Sequence, residues 1–310
     1  MKLIAPNYYP AFRCIADKCR HSCCIGWEID IDPDTRAIYR QLPGAFGERL
    51  NAAIDDSGEV SVFRLGPDER CPMLNSSGLC DLITALGEDA LCQICADHPR
   101  FRNAFADRTE IGLGLCCEAA AMLVLAQQSP MTLIVLEDDG QADTLPEEEA
   151  ALLALRDELI RGMQDESRSL NQRLNALLDA AGLTLPDRDW AAFYRTLERL
   201  DKQWDAALDK LPDRLPAAFP ALEAQPALVC ALSNFCVYLL YRHLPGALED
   251  EDIPGRIAFC VLSTRMLAAL CAAHPGCTLA DCAEYARMYS AEIEYSEDNL
   301  AALLDALWEE

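Results

Sequence analysis

Four cysteines fall within eleven residues near the start of the chain, in the stretch Cys14-Ile-Ala-Asp-Lys-Cys19-Arg-His-Ser-Cys23-Cys24. Thiols this close in sequence converge on one metal ion or cluster at a small cost in loop-closure entropy. The side chains of adjacent residues diverge, so the pair Cys23-Cys24 indicates two neighbouring sites, or one ligand beside one packing residue. We therefore expect metal ligation, rather than a large hydrophobic core, to organise the backbone of this region.

Three more cysteine motifs follow before residue 120. The segment Cys71-Pro-Met-Leu-Asn-Ser-Ser-Gly-Leu-Cys80 contains Pro72 and Gly78, which favour turns that bring its two thiols together. The others are Cys92-Gln-Ile-Cys95 and the adjacent pair Cys116-Cys117. Cysteines at this density predict that at least four of them are metal ligands.

The spacing of these cysteines leaves the metal open. Structural zinc sites usually contain two Cys-x2-Cys pairs, and only Cys92 and Cys95 have that spacing. An irregular set of thiolates suits an iron–sulfur cluster equally well. The Cys-x3-Cys-x2-Cys motif of radical enzymes is half present, because Cys19 and Cys23 fit it but Gly26 stands in the third position. The spacing therefore leaves both metals open, an iron–sulfur cluster and, as the alternative, zinc.

The charge of the chain limits its partners. Its 310 residues carry a formal net charge of −25, with 51% hydrophobic and 25% charged residues, so it can bury a core and is not a disordered acidic segment. A field this negative repels a phosphate backbone, which argues against nucleic acid as a partner. Residues 1–120 carry a net charge of −6 and the remainder −19, so the acidity lies mainly in the second part.

The sequence predicts a cytoplasmic protein. Its first residues, MKLIAPNYYP, lack the apolar run of a secretory signal. The longest apolar stretch, residues 226–244, contains Ser233, Asn234, Arg242 and His243, so we expect no membrane span. In a reducing cytosol the 16 cysteines indicate metal ligands, catalytic thiols or packing residues rather than disulfides.

Apolar spacing predicts a mainly α fold, in which an irregular, cysteine-rich, metal-binding N-terminal region packs on a helical bundle with at most a few short strands. The expected domains are residues 1–125, which bind a metal or an iron–sulfur cluster, and residues 126–310, which form an acidic α-helical domain. Helices are predicted after Pro33 and at residues 44–53, 146–164, 170–181, 187–208, 227–243, 254–273 and 279–294. Strands are predicted at residues 60–65 and 132–136.

The six cysteines of the second part are more widely spaced. We interpret them as packing residues of the helices, with a second metal site as the alternative. They are Cys230, Cys236, Cys260, Cys271, Cys277 and Cys282. His243 and His274 look like helix-end residues with no evident function.

A series of ordered motifs runs from residue 8 to about residue 125. It starts with Tyr9-Pro-Ala-Phe-Arg-Cys14, Cys19, Cys23-Cys24, Gly26-Trp27, Ile29-Asp30, Asp34-Thr35 and Tyr39. It continues with Cys71-Pro-Met-Leu, Gly78-Leu-Cys80, Leu86-Gly87-Glu88, Cys95-Ala-Asp-His-Pro-Arg100 and Cys117-Glu-Ala-Ala. Together these motifs resemble the flagellin lysine-N-methylases (FliB-type proteins), and the middle ones are also similar to small zinc- or iron-chelating domains.

The resemblance implies a ligand set and an activity. The matching cysteines are Cys14, Cys19, Cys23, Cys24, Cys71, Cys80, Cys95 and Cys117, whereas Cys92 and Cys116 fall where the family does not usually have cysteine and are interpreted as packing residues. The implied reaction is methyl transfer from S-adenosylmethionine to lysine side chains of flagellin or another lysine-bearing protein, supported by a cysteine-bound metal centre, expected to be [4Fe–4S].

The sequence does not indicate where S-adenosylmethionine binds. A Rossmann-type site needs a glycine-rich turn between a strand and a helix. Gly112-Leu-Gly114 lacks the third glycine, and we interpret it as accidental. If the cofactor is used, we expect it to bind a cluster iron that has only three protein ligands.

The catalytic residues also stay open. Six residues could serve as the base that removes the lysine proton: Tyr8, Tyr9, Glu28, Asp30, Asp97 and His98. His98 could alternatively ligate the metal, donate to a ligand sulfur or cap a turn, and Trp27 is expected to cover the metal site. Two other functions remain as alternatives: a non-catalytic binding module supported by zinc or iron–sulfur, and an iron–sulfur enzyme with another peptide substrate.

Overall fold

The chain divides into two compact units in the computed structural model, which describes residues 1–141, 144–212, 215–216 and 219–309. Arg13–Arg100 form one unit, called here the cysteine-rich unit, and Met1–Phe12 with Phe101–Glu310 form the other, called the helical unit. The boundary predicted near residue 125 lies inside the helical unit.

Helices account for most of the secondary structure, which confirms the mainly α prediction. The strands are β1 (Lys2–Pro6), β2 (Asp30–Ile31), β3 (Ile54–Asp55), β4 (Ser61–Phe63), β5 (Arg100–Ala104), β6 (Arg108–Leu113) and β7 (Leu133–Asp138). The helices are α1 (Pro33–Arg40), α2 (Gly44–Ala52), α3 (Asp81–Leu86), α4 (Gln93–Asp97), α5 (Glu118–Leu125), α6 (Glu147–Met163), α7 (Leu170–Ala181), α8 (Trp190–Thr196), α9 (Lys202–Leu208), α10 (Pro220–Glu223), α11 (Pro226–His243), α12 (Ala247–Asp250), α13 (Ile253–Ala272), α14 (Leu279–Tyr289) and α15 (Glu297–Ala306).

The first residues of the chain form a strand inside the sheet of the helical unit, whose order is β5-β6-β1-β7. β1 is parallel to β6, with Leu3 opposite Thr109, and antiparallel to β7, with Ala5 opposite Ile134. The strand predicted at residues 132–136 is therefore confirmed. β1, β5 and β6 were not predicted, and in β6 consecutive residues up to Leu113 are buried, so the sequence lacks the alternation that marks a half-exposed strand.

α11 and α13 lie in the hydrophobic core of the helical unit. Both are long and apolar enough to cross a membrane, but 72% and 89% of their apolar windows are buried inside the protein, as expected of core helices. Cys236 and Cys260 are fully buried on these helices, in agreement with the interpretation of late cysteines as packing residues.

The prediction of one helix over residues 187–208 is wrong. α8 ends at Thr196, the backbone of the next residue, Leu197, is extended, and α9 starts after Asp201, which caps it. Between the two helices the buried Glu292 accepts hydrogen bonds from the backbone N–H groups of Leu200 and Asp201, at 2.8 and 2.7 Å. A partner distant in sequence thus satisfies the amides at the interruption, which local periodicity does not reveal.

The cysteine-rich unit contains a three-stranded sheet with the order β2-β4-β3, and β4 confirms the strand predicted at residues 60–65. Its small core includes Tyr39, fully buried, whose hydroxyl donates to the carbonyl of Ala90 at 2.7 Å. Asp32 caps α1 by accepting from Thr35 N, and its second oxygen accepts from Gln93 N, both at 2.9 Å. One side chain therefore connects the starts of α1 and α4.

Candidate metal centre

Backbone pairing brings several of the predicted ligands together in the cysteine-rich unit. Cys71 N donates to Cys24 O at 2.8 Å, and Ile25 and Arg70 form an antiparallel bridge, so the segments that carry Cys24 and Cys71 run side by side. The thiols on two distant parts of the sequence therefore lie in one region of the unit.

The loop between Cys71 and Cys80 closes on itself, as its turn residues predicted. Leu74 and Cys80 form an antiparallel bridge, and Gly78 has a φ of +77°, a conformation that glycine adopts without strain. Asn75 stabilises the turn, because its side-chain oxygen accepts from Leu79 N at 3.1 Å. Cys80 is thereby returned to the start of the loop, where it interacts electrostatically with Cys24.

Cys92 and Cys95 lie at the start of α4, and their thiols are hydrogen bonded to each other. Cys95 also interacts electrostatically with Cys24 and Cys71. We call Cys24, Cys71, Cys80 and Cys95 the four-cysteine set. Cys92, predicted to be a packing residue, is fully buried in the core of the unit but shares its hydrogen bond with this set.

The thiols of the four-cysteine set differ in acidity. A hydrogen bond from Cys23, with a contribution from the charge of Arg70, lowers the pKa of Cys24 to about 7, although partial burial opposes this. Burial raises the pKa of Cys71 to about 12 and also raises the pKa of Cys80. The hydrogen bond with Cys92 and burial raise the pKa of Cys95. Burial favours the protonated thiols of Cys71, Cys80 and Cys95, so a nearby cation would be needed to hold them as thiolates, whereas Cys24 is the most acidic thiol of the set.

Among the other four predicted ligands, Cys23 adjoins the set, because its thiol is hydrogen bonded to Cys24. Cys14 and Cys23 are exposed and Cys19 is half-buried, on the segment before β2. Cys117 precedes α5 in the helical unit. The part of the chain that the structure describes thus groups Cys24, Cys71, Cys80 and Cys95, and the eight-ligand set stays a prediction.

Trp27 and His98 lie close to each other beside this region. The Trp27 indole donates to the carbonyl of Cys23 at 2.6 Å, and its ring centroid lies 6.1 Å from that of His98. His98 N donates to Ile94 O and ends α4, which supports the turn-capping alternative for this residue. Burial, with the nearby charge of Arg100, lowers the pKa of His98 to about 4, so its ring is neutral at pH 7.

The candidate bases divide by environment. Glu28 and Asp30 are exposed carboxylates beside the cysteine segment. Tyr8 is buried in the helical unit, where burial raises its pKa well above the ordinary value, and it lines a small cavity with Met131 and Tyr238. A phenol whose pKa is raised in this way is a poor base at neutral pH.

A buried charged cluster in the helical unit was not predicted. Glu294 accepts at Oε2 from the Tyr238 hydroxyl (2.8 Å) and is bonded to His243 Nε2 (2.6 Å), and Arg242 donates to the same hydroxyl (2.7 Å). We call Tyr238, Arg242, His243 and Glu294 the Glu294 cluster. Glu294 ends a π-helical turn, Ser290–Glu294, a feature that often marks functional sites.

The charge states of this cluster follow from its contacts. Burial raises the pKa of Glu294, but the charge of Arg242 and the bond to His243 outweigh it and lower the pKa to about 2. Burial lowers the pKa of His243, so at pH 7 the cluster contains an ionised carboxylate, a neutral imidazole and a guanidinium. The signal in the sequence was Arg242-His243 interrupting an otherwise apolar helix.

Part of this chain is similar in sequence to known bacterial proteins. Over 137 residues, 41% of this chain, it is 27% identical to proteins named lysine-N-methylase from Salmonella typhimurium and Salmonella choleraesuis. The aligned region is 33% of each of those proteins, so the chain matches about a third of their length. It is 26% identical over 140 residues to the flagellar biosynthetic protein FliU of Salmonella muenchen, covering 79% of that protein. No family model and no solved structure matches the chain. The chain is therefore similar, over 41% of its length, to lysine-N-methylases.

Proposed function

We propose that this protein is a cytoplasmic lysine N-methylase that transfers a methyl group from S-adenosylmethionine to lysine side chains of a flagellin-type protein. The names of its relatives support lysine methylation and a flagellar substrate. The proposal includes an iron–sulfur cluster in the cysteine-rich unit, and the convergence of the four-cysteine set is the observation that carries it.

The donor set fits such a cluster. Cys24, Cys71, Cys80 and Cys95 would hold it, and their sulfurs are the ligands that iron–sulfur clusters use. If three of these four cysteines held the cluster, one iron would have no protein ligand and could chelate the amino and carboxylate groups of S-adenosylmethionine.

The proton of the substrate lysine is the main barrier to a polar methyl transfer. In the reaction the lysine nitrogen forms a bond to the methyl carbon, the carbon–sulfur bond breaks, and a proton must leave the nitrogen. At a pKa near 10.4 the amine is neutral in about one molecule in 2,500 at pH 7, a penalty of about 4.6 kcal/mol. A base or a desolvating environment in this chain has to offset that penalty.

The acidic character of the protein affects encounter and chemistry in opposite directions. A net charge of −25 attracts a cationic lysine, and the exposed Glu28 and Asp30 place two carboxylates beside the cysteine segment. The same charges stabilise the ammonium form and raise its pKa. These two carboxylates therefore contribute to substrate capture and not to deprotonation.

The test starts from protein reconstituted without oxygen. We expect iron and sulfide in the full-length chain, visible absorption of a cluster, and added methyl groups on flagellin lysine peptides after incubation with S-adenosylmethionine, detected by mass spectrometry. A Cys236→Ser variant, which changes a core cysteine of the helical unit, is the matched control and should retain iron and activity.

Two different results would each contradict part of the proposal. A colourless protein with bound zinc would remove the cluster. Full metal content without methylation of flagellin would instead indicate the non-catalytic binding module.

A further inference from the structure

The turn between α13 and α14 gathers metal-ligand side chains in the helical unit. α13 ends at Ala272, and Gly276, with a φ of +75°, turns the chain back before α14 begins at Leu279. The turn places donor atoms of His274, Cys277 and Asp281 within 4.8 Å of one another. Within the described part of the chain, no other group of three or more His, Cys, Asp or Glu donor atoms lies within this distance.

The spacing is close to what a single zinc ion requires. Zn–N and Zn–O bonds of about 2.0–2.2 Å and a Zn–S bond of about 2.3 Å give tetrahedral edges of about 3.4–3.6 Å. Three donors within 4.8 Å therefore reach zinc geometry by moving about 1 Å. A thiolate, an imidazole and a carboxylate together form a donor set typical of zinc.

Neighbouring residues orient these donors as the surroundings of a metal site do. The Tyr285 hydroxyl is hydrogen bonded to His274 Nδ1 at 3.2 Å, which fixes the ring. Thr278 N and Oγ1 donate to Asp281 Oδ2 at 2.8 and 2.6 Å. Within the described contacts these bonds use Oδ2, so Oδ1 is available to an ion.

A fourth donor lies directly behind the group. Cys271, on the last turn of α13, is 1% exposed and its thiol is hydrogen bonded to Cys277. Cys282, on α14, is also hydrogen bonded to Cys271, but the bond to Cys277, a member of the converging group, is made by Cys271.

The group is accessible from solvent. His274, Asp281 and Tyr285 line a cleft of about 300 Å³, whose wall also includes Lys210 and Glu284. Cys277 is 7% exposed. An ion can therefore enter through the cleft and bind the buried sulfur atoms of Cys277 and Cys271.

We infer that His274, Cys277 and Asp281, with Cys271 as the fourth ligand, bind one Zn²⁺ ion at the junction of α13 and α14. This site is separate in sequence from the cysteine-rich unit and independent of the proposed methylase activity. It joins the ends of two helices, so the bound ion stabilises the helical unit.

The test is the zinc content of the full-length chain. After incubation with Zn²⁺ alone and desalting, His274→Ala, Cys277→Ser and Asp281→Asn should each contain one zinc equivalent less than the wild type, while iron is unchanged. Cys282→Ala, which changes a buried cysteine in the first turn of α14, is the matched control and should retain the zinc. Tyr285→Phe should bind zinc about 10-fold more weakly, because it loses only the orienting hydroxyl.

Cobalt gives a second readout that does not depend on activity. The wild type should show the absorption of a thiolate-bound Co²⁺ ion, reduced in Cys277→Ser, and circular dichroism will show whether each variant is folded. Cys71→Ser should leave this cobalt signal intact, which separates the site from the cysteine-rich unit. Equal zinc content in the wild type and in folded His274→Ala and Asp281→Asn variants would overturn the inference, as would loss of zinc in Cys282→Ala alone.

Discussion

His243 Nε2 lies 2.6 Å from Glu294 Oε2, the same oxygen that accepts from the Tyr238 hydroxyl at 2.8 Å. The guanidinium of Arg242, 3.4 Å from this oxygen, supplies the balancing charge and lies over the ring of Tyr295 at 4.6 Å. One carboxylate thus connects the C-terminal end of α11 with the π-helical turn after α14. The cluster is buried, so its energy depends on keeping every charge paired.

Replacing Glu294 by Gln should destabilise the protein by about 3–5 kcal/mol, because the charge of Arg242 is then buried without a counter-ion. Urea denaturation of the full-length chain measures the effect. Glu158→Gln, an exposed position on α6, is the control and should change the free energy of unfolding by less than about 0.5 kcal/mol. A Glu294→Gln variant as stable as this control would show that the cluster contributes little.

The same cluster should make stability depend on pH. The pKa of Glu294 is lowered to about 2 in the folded protein, so its contribution is present above the unfolded pKa, about 4.5, and is lost as the pH falls towards 2. His243 also has a lowered pKa in the folded state, so the unfolded chain takes up its proton first and stability falls below about pH 6.5. Unfolding free energies measured from pH 7 to 3 should decrease in the wild type and less steeply in Glu294→Gln. Parallel curves for the two proteins would contradict this assignment.

The local features of the cysteine-rich unit could be predicted from the sequence. Gly78 and the loop from Cys71 to Cys80 follow the expected turn chemistry, and Asp32 precedes a proline where a helix cap is expected. The grouping of Cys24 with Cys71 depends on a backbone pairing between residues 47 positions apart in the sequence. Periodicity over a short window contains no information about such a pairing.

Buried polar residues were harder to predict. In a chain with 51 acidic residues, nothing marks Glu292 and Glu294 as buried until their partners in other elements are known. His274 was interpreted as a helix-end residue, but its place in a turn between two helices brings it close to Cys277 and Asp281. The short His-x2-Cys-x3-Asp spacing was the signal that could have identified this group.

Replacing Asp32 by Ala should destabilise the cysteine-rich unit by about 2–3 kcal/mol. The substitution removes the cap of α1 and leaves the N–H of Gln93 without its carboxylate partner, each worth about 1 kcal/mol or more. Asp34→Ala removes an exposed acid on the first turn of the same helix and should cost less than about 1 kcal/mol. Hydrogen exchange of the amides in α1 and α4 measures the effect locally, and equal protection in both variants would contradict the bridging role of Asp32.

The ligand set can be resolved by comparing single substitutions to serine. Cys71→Ser removes a member of the four-cysteine set that is 5% exposed, so it should lose most of the iron from the anaerobically reconstituted protein. Cys14→Ser changes an exposed cysteine on the segment before β2. This variant distinguishes the four-cysteine set from the eight-ligand prediction. If the four-cysteine set is sufficient, iron is retained in Cys14→Ser, whereas the eight-ligand prediction requires a loss.

Cys236→Ser controls for the effect of a buried substitution in the helical unit and should keep full iron content. Equal iron loss in Cys71→Ser and Cys236→Ser would mean that the substitutions act through stability, and the assignment of the metal centre to the cysteine-rich unit would fail.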